Sequence, residues 1–267
     1  MQKLAIMNEK GGVGKSALAT QLSFYAALKR NLKVLVIDLD QQCNTSKCIE
    51  NSGLFHVAEI TAGALLLNGD SFSASDKPTL IKGDKLLSRL ESMGPEKAKE
   101  VIGNFYKALS ALDPHYDLCV IDTNPSPDVR AMAALCIANY AVSPVQLNQE
   151  AIDGVVQLYE NIRRVSVYNP ELTFMGLLPN MVLNTPFQRA NFRDLMQSFG
   201  QILLKDGNGR FLSIPHRTAV SEAQSECRPV WTGEKSTALK TWTEIKGVFE
   251  AILEKMKMAE QDQGEAQ

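Results

Sequence analysis

Short, mostly apolar runs recur along the chain, and longer segments separate them in which apolar residues return every three or four positions. Runs of this length without polar alternation are typical of strands covered on both faces of a parallel sheet. The pattern therefore predicts buried strands at residues 3–8, 33–38, 117–122, 140–145 and 174–180.

The intervening segments have helical periodicity. After the first run, Leu18, Leu22 and Ala26 follow at helical spacing, and a helix is predicted to begin near Lys15. Comparable patterns occupy residues 151–168 and 237–257. Strand and helix alternate throughout, which predicts an α/β fold: a doubly wound, mostly parallel sheet with helices on both faces.

The alternation indicates how the chain is divided. Residues 1–257 are predicted to form a single domain. Residues 68–78 are rich in Ser, Asp and Gly and are predicted to be a surface loop rather than a linker. Residues 258–267 hold three acidic residues and no basic one, and are predicted to form a polar, acidic C-terminal tail.

Composition excludes several classes of protein. With 45% hydrophobic and 22% charged residues, the 267-residue chain has neither a disordered nor a fibrous composition. Its five cysteines lack C-x-x-C spacing and are predicted to be free thiols. No run approaches the roughly 18 apolar residues of a membrane span, and the N-terminus does not resemble a signal peptide. A cytoplasmic location is therefore expected.

The segment NEKGGVGKSALAT at residues 8–20 contains the parts of a phosphate-binding loop. Such a loop needs glycines that aim backbone N–H groups inward, a helix N-terminus, a lysine for the outer phosphates and a hydroxyl for Mg²⁺. Lys15 supplies the charge and Ser16 the hydroxyl. The predicted nucleotide contacts of the loop are Gly11, Gly12, Val13, Gly14, Lys15, Ser16 and Ala17.

The loop departs from the usual G-x-x-x-x-G-K-[ST] pattern, because Glu9 stands at the first glycine position and Lys10 follows it. The string KGGVGKS resembles the deviant Walker A motif of the ParA and MinD branch of P-loop ATPases. The resemblance implies that Lys10 is the signature lysine, which reaches the nucleotide of a second subunit. It also implies an ATP-bound homodimer in which Lys10 couples dimerisation to hydrolysis, as an arginine finger supplied in trans does.

Acidic residues follow two of the predicted strands, where ligands bind in open α/β sheets. The segment IDLDQQCN is similar to the family motif D-x-D-P-Q-x-N, with Gln41 in place of proline and Cys43 in place of glycine. By that resemblance Asp40 positions the attacking water and Asp38 supports the magnesium shell.

The third acidic residue, Asp122, ends the apolar run DLCVID in the manner of a Walker B carboxylate, which holds Mg²⁺. The family often reads D-x-P-P-S here, so Asn124 is a departure. Later segments extend the resemblance to about Val230, and it assigns Asn180 and Pro215 to an adenine pocket. The expected cofactors are thus ATP and Mg²⁺.

The resemblance is closest to ParA-type partition ATPases, whose ATP dimer binds non-specific DNA and is stimulated by a ParB-like partner. Residues 185–257 hold 11 basic and 8 acidic residues, a small excess that permits such binding. The chain begins at its first strand, so no N-terminal helix-turn-helix is expected. The candidate DNA contacts are Arg189, Arg193, Arg217, Arg228, Lys235, Lys240 and Lys246. A nucleoid-associated location would follow.

Other functions stay open. A MinD-like membrane-cycling ATPase would need a basic amphipathic helix at its C-terminus, whereas this chain ends in AEQDQGEAQ. An iron–sulfur relative would need exposed paired cysteines, and Cys119 and Cys136 are placed in a buried strand and a helix. A nucleotide-gated scaffold is disfavoured by the intact Asp40. A ParA-like positioner of a non-DNA cargo would carry the same motifs.

Overall fold

The computed structural model describes residues 1–70, 72–234 and 236–264, apart from the side chains of 95, 149–153 and 258–264. Within them lies one seven-stranded sheet in the order β3-β4-β2-β5-β1-β6-β7, and every neighbouring pair is parallel. The strands are β1 Gln2–Ile6, β2 Val34–Asp38, β3 His56–Thr61, β4 Thr79–Lys82, β5 Leu118–Asp122, β6 Tyr140–Val145 and β7 Thr173–Pro179.

Helices connect the strands and cover both faces of the sheet. They are α1 Lys15–Lys29, α2 Asn44–Ser52, α3 Ala62–Asn68, α4 Pro95–Leu112, α5 Val129–Ile137, α6 Gln149–Ser166, α7 Pro186–Phe199, α8 Thr218–Ser225 and α9 Ser236–Gly264. Two 3-10 turns, Lys85–Leu90 and Val230–Thr232, complete the regular structure of the described residues. None of the helices described is long and apolar enough to cross a membrane.

The apolar runs reflect burial on both faces. In β2, Leu35 and Ile37 belong to the hydrophobic cluster that includes α3, α4, α5 and α6. The alternate residues Val34 and Val36 belong to the opposite cluster, which includes α1, α8 and α9. Since neither face of the strand meets water, both sets of alternate positions before the terminal Asp38 are apolar.

The topology brings three strand ends to one place. β1 lies between β5 and β6, while the chain passes from β1 through α1 to β2 on the far side of β5. Asp122 is in register with Ile6 on one side and with Asp38 on the other. The loops after β1, β2 and β5 therefore leave the same edge of the sheet, where α/β proteins bind ligands.

The predicted fold class is confirmed, and β3 and β4 are the strands that the apolar pattern did not identify. β4 has four residues, and β3 lies at the sheet edge with only Ala58 buried. The backbone of α9 extends to Gly264, into the predicted tail, and residues 265–267 lie outside the described part. The division into one domain and a tail stays a prediction.

Candidate nucleotide and magnesium site

The loop between β1 and α1 has the backbone that its glycines allow. Gly12 and Gly14 have φ of 76° and 90°, and Gly14 caps the N-terminus of α1. A Cβ on Gly14 would lie 2.3 Å from Nδ2 of Asn180. This Nδ2 donates a hydrogen bond of 2.7 Å to the carbonyl oxygen of Val13. Both the left-handed conformation and this close approach restrict position 14 to glycine.

Lys15 is a buried cation at the base of the loop, only 6% exposed. Its Nζ donates to the carbonyl oxygens of Asn8 and Lys10, at 3.0 Å each. Burial lowers the pKa of Lys15, while the charges of Asp122 and Asp40 oppose that shift. The ammonium thus lies within the electrostatic influence of both carboxylates.

Asp122 is fully buried at the end of β5. One oxygen, Oδ2, accepts a hydrogen bond of 2.7 Å from the hydroxyl of Thr45. The other, the buried Oδ1, has no hydrogen-bond partner among the described residues. Burial, followed by repulsion from Asp38, raises the pKa of Asp122 to about 7, although Thr45, Ser16 and Lys15 act in the opposite direction. A buried acceptor without a partner requires an explanation, and a cation is one.

Asp38 is also fully buried, but its oxygens are occupied. Oδ1 accepts a hydrogen bond of 3.0 Å from the backbone N–H of Asp40. Oδ2 accepts two hydrogen bonds from Ser46, one of 2.8 Å from its backbone N–H and one of 2.7 Å from its hydroxyl. Burial raises the pKa of Asp38 to about 6. These bonds tie the loop after β2 and the start of α2 to the sheet.

The donor set fits magnesium. Ser16 and Asp122 present hard oxygen ligands beside the loop, and Mg²⁺ at nucleotide sites takes one or two protein oxygens with water and phosphate oxygens. The partnerless Oδ1 of Asp122 is the observation that tests the fit. No group of three or more His, Cys, Asp or Glu side chains among the described residues could hold a metal by itself.

A cleft of about 610 Å³ opens over the loop. Lys15 and Asp40 line it, as do Gly11 and Ser16 from the loop and α8 from the opposite wall. Asp40 is 9% exposed, and its Oδ1 accepts 2.9 Å from the backbone N–H of Gln42. This carboxylate is therefore in the cleft and held by its own turn.

Lys10 is absent from the described residues that line this cleft. Its backbone N–H donates 2.8 Å to Oδ1 of Asn8, and its Cε lies 3.7 Å from a Cβ built on Gly154 of α6. The neighbouring Glu9 accepts a hydrogen bond from Asn161 of the same helix. The loop thus presents Lys15 inside the cleft and Lys10 on its α6 side.

A second pocket adjoins the cleft where the chain leaves β7. Asn180, Pro215, Ala17 and Met181 are among its lining residues. The two residues predicted to contact adenine are therefore brought together, beside α1. Asn180 also has a structural function, because its amide supports the phosphate loop at Val13.

The loop after Asp122 is fastened by Asn124, which departs from the family pattern. The Asn124 amide donates to the carbonyl oxygen of Ser126 and to Oδ2 of Asp128, at 3.3 and 3.0 Å. Asp128 in turn pairs with Arg130, a guanidinium only 1% exposed. A hydrogen-bond network thus orders the turn where the family has its first proline.

The predicted DNA contacts lie on several elements. Arg189 and Arg193 are exposed on α7, and Lys240 and Lys246 are exposed on α9. Other members are paired with carboxylates: Arg217 with Glu244, Arg228 with Glu226, and Lys246 with Glu250. Lys235 lies outside the described residues.

Sequence reasoning missed the residues that hold the carboxylates. Thr45 and Ser46 begin α2 and donate to Asp122 and Asp38 respectively. Gln146, beyond β6, donates 3.1 Å to the carbonyl oxygen of Gly12. For Thr45 and Ser46 a signal existed, since two hydroxyl residues directly follow the segment IDLDQQCN; for Gln146 the sequence offers none.

Comparison with known proteins identifies relatives along most of the chain. A family model described as an AAA domain matches residues 1–174. The chain is 30% identical to Protein IncC of Escherichia coli, over 97% of this chain and 71% of IncC. It is 31% identical to the chromosome-partitioning ATPase Soj of Thermus thermophilus, over 68% of this chain and 70% of Soj.

Solved structures share the fold. Apo McdA of Cyanothece matches with a TM-score of 0.73 at 18% identity, over 95% of this chain and 98% of McdA. A putative plasmid partition protein of Borrelia burgdorferi bound to AMPPNP matches with a TM-score of 0.67 at 22% identity, over 95% of this chain and 99% of that one. The chain belongs to the ParA/MinD-type P-loop ATPases, close to the partition proteins.

Proposed function

We propose that this chain is a ParA-type ATPase that dimerises on ATP, binds non-specific DNA and drives the partition of a plasmid or chromosome. The observation that carries the proposal is that Lys15 and Asp40 line one cleft, while the buried Asp122 acts electrostatically on the same lysine. Family membership supports ATPase activity, and the similarity to the chromosome-partitioning ATPase Soj supports partition as the cellular process.

The chain would hold Mg²⁺-ATP through the loop. Backbone N–H groups from Gly11 to Ser16 and the Lys15 ammonium would bind the phosphates. Ser16 and Asp122 would hold Mg²⁺, with Asp38 supporting the shell through the structure it orders; the cation neutralises charge on the phosphate oxygens. Asn180 and Pro215 would contact the base in the adjoining pocket.

Asp40 would position the attacking water. It is a carboxylate on the cleft wall, and phosphoryl transfer depends on orientation and charge stabilisation more than on covalent chemistry. Lys10 would complete the site of a second subunit. Lys10 lies on the α6 side of the loop and is not among the residues that line the cleft, which is compatible with a function in trans. The ATP-bound homodimer would then be the active form.

DNA would bind to basic residues of the C-terminal third, and a ParB-like activator would stimulate hydrolysis and release the DNA. The exposed pair on α7, Arg189 and Arg193, is the best placed, since neither has a carboxylate within ion-pair distance among the described residues. The protein would then be cytoplasmic and nucleoid-associated, without a membrane partner.

The test is DNA binding in two nucleotide states. Purified protein is titrated onto a duplex of arbitrary sequence with Mg²⁺-ATP or Mg²⁺-ADP over a salt series, and Lys15→Ala serves as the control that does not respond to nucleotide. We expect binding with ATP alone, and an affinity that falls steeply with salt because bound phosphates release counterions. An ATP dimer that binds no DNA at low salt would overturn the partition proposal and favour a protein cargo.

A further inference from the structure

Two cysteines from opposite ends of the sequence meet on the wall of the nucleotide cleft. Cys48 lies on α2, which follows the Asp40 turn, and Cys227 lies two residues beyond α8. Both line the cleft of about 610 Å³. Cys227 contributes to the raised pKa of Cys48, which indicates that the two side chains are neighbours.

The backbone around Cys227 keeps its sulfur at α2. Sγ of Cys227 lies 3.9 Å from the carbonyl oxygen of Lys47, the residue before Cys48, and 3.8 Å from that of Gln224. Cys227 adopts φ of 53°, a left-handed conformation that is uncommon for a residue with a Cβ. The turn after α8 therefore directs this thiol toward α2.

The two thiols differ in access. Cys48 is 2% exposed, and burial, followed by the neighbouring Cys227, raises its pKa to about 12. Cys227 is half-buried and faces the cleft. Because the thiolate is the attacking form and needs access to its target, Cys227 is the residue that reacts first and Cys48 the one that resolves.

We propose that Cys48 and Cys227 form a reversible disulfide that joins α2 to the segment after α8 across the nucleotide cleft. The oxidant is a small-molecule disulfide of the glutathione class. The Cys227 thiolate attacks one of its sulfurs, which forms a mixed disulfide and releases one thiolate. The Cys48 thiolate then attacks Sγ of Cys227 and releases the second. Two protein protons go to the two released thiols, and two electrons reduce the oxidant.

The disulfide would restrain the walls between which a nucleotide enters. A bound nucleotide would in turn shield Cys227, because that thiol lines the occupied space. Saturating Mg²⁺-ATP is therefore expected to slow disulfide formation by about tenfold. This second effect rests on the proposed function, whereas formation of the bond does not. A reversible, site-specific disulfide is also the kind found in reducing compartments.

The experiment incubates the full chain with oxidised glutathione and counts thiols after denaturation. The five free thiols should fall to three, and dithiothreitol should restore five. Tryptic peptides should show one cross-link, because cleavage after Lys47 separates Cys48 from Cys43 and cleavage after Arg217 releases the Cys227 peptide. A chain that keeps five thiols, or a cross-link between other cysteines, would overturn the proposal.

Two variants separate the pair from general oxidation. Cys227→Ser should retain all four of its thiols apart from slow adduct formation, and Cys48→Ser should accumulate one glutathione on Cys227. Cys136→Ser, on α5, is the matched control and should still lose two thiols. If the disulfide forms at the same rate with and without ATP in protein shown to bind ATP, the shielding is refuted. If ATP does not bind at all, the proposed function fails and the disulfide stands.

Discussion

The cleft over the glycine loop and the C-terminal third of the chain both contain lysine or arginine. In the cleft Lys15 is buried, whereas most of the candidate DNA contacts in the C-terminal third are exposed to solvent. Lys15 is 6% exposed and is influenced by Asp122 and Asp40, all at the sheet edge. The Arg217 side chain is 41% exposed and forms its ion pair with Glu244 in contact with solvent. Charges interact more strongly where water is excluded, and exposed pairs are screened by salt.

The comparison indicates where single substitutions matter. In the cleft, Lys15 and Asp40 are buried and fixed by hydrogen bonds, so a substitution of either removes a function. On the surface several cations contribute similar, weak interactions, and exposed ion pairs stabilise a protein by only about 0–1 kcal/mol. Substitutions in the cleft should therefore have much larger effects than substitutions of the exposed cations.

Lys10→Ala should lower stimulated ATP turnover by about 10³-fold, the lower end for a charge supplied in trans. The ATP-dependent dimer should be lost from sedimentation velocity profiles. This substitution tests the proposal that Lys10 completes the site of a second subunit.

Mixing distinguishes trans from cis action. Lys10→Ala and Asp40→Ala are each inactive, but their heterodimer contains one site with an intact Asp40 and a Lys10 from the other subunit. About a quarter of wild-type turnover is expected from an equal mixture, if subunits pair at random. A mixture with no activity, in which the heterodimer is detected, would place Lys10 in its own site.

Asp40→Ala should lower turnover by about 10²–10³-fold, since a positioned proton acceptor contributes this much, while ATP affinity stays within about threefold. Asp40→Asn is the control, because its amide oxygen can still accept from the Gln42 N–H. If the asparagine variant hydrolyses ATP normally, Asp40 supports the turn and does not position water.

Asp122→Asn should change how stability depends on pH in nucleotide-free, magnesium-free protein. The pKa of Asp122 is raised to about 7 in the folded state, so the folded chain binds a proton more readily than the unfolded chain. This contribution is fully present below about pH 4 and is lost as pH rises through 7. Wild type should lose about 2–3 kcal/mol from this group between about pH 5 and pH 8, at 1.36 kcal/mol per pH unit.

The free energy of unfolding of the variant, measured with urea, should fall less over that pH range. The variant retains an oxygen acceptor for Thr45. Asp117→Asn, at an exposed position before the same strand, is the control and should follow the wild-type curve. Equal pH dependence in wild type and Asp122→Asn would mean that the proton affinity of Asp122 does not change on folding.

Lys15→Ala should weaken Mg²⁺-ATP binding by about 100-fold, or about 2.7 kcal/mol, as expected for loss of a charge-assisted contact. Lys47→Ala is the matched control. Lys47 lines the same cleft but is exposed, and its Nζ donates to the backbone of Gln42. If isothermal titration shows equal losses of ATP affinity for Lys15→Ala and Lys47→Ala, the buried Lys15 has no special function in binding ATP.

The smallest effects should come from the surface. Arg193→Ala should weaken ATP-dependent DNA binding by a few-fold and reduce the magnitude of the salt slope by about 0.9, as for one lost phosphate contact. Arg217→Ala should change both quantities less, because Glu244 already pairs with that guanidinium. Equal slopes for wild type and Arg193→Ala would exclude Arg193 from the interface.

Much of the fold was predictable from the chain because the signals are local. A strand, a glycine loop and a helix follow one another within the first 29 residues, and β2, β5, β6 and β7 were each identified from a short apolar run. β3 and β4 were not predictable in this way. Their pairing with the sheet supplies a stability that their own short or partly exposed sequences do not indicate.

By itself, the sequence determined the kinds of chemical group and their order: a phosphate loop with two lysines, and carboxylates at two strand ends. The tertiary structure alone decided which groups meet. It brought Thr45 to Asp122, Asn180 to Val13, and Cys227 to the backbone of Lys47, and it placed Lys15 in the lining of the cleft. Spacing along a chain fixes local geometry, whereas contacts between distant segments arise only when the sheet brings their ends to one edge.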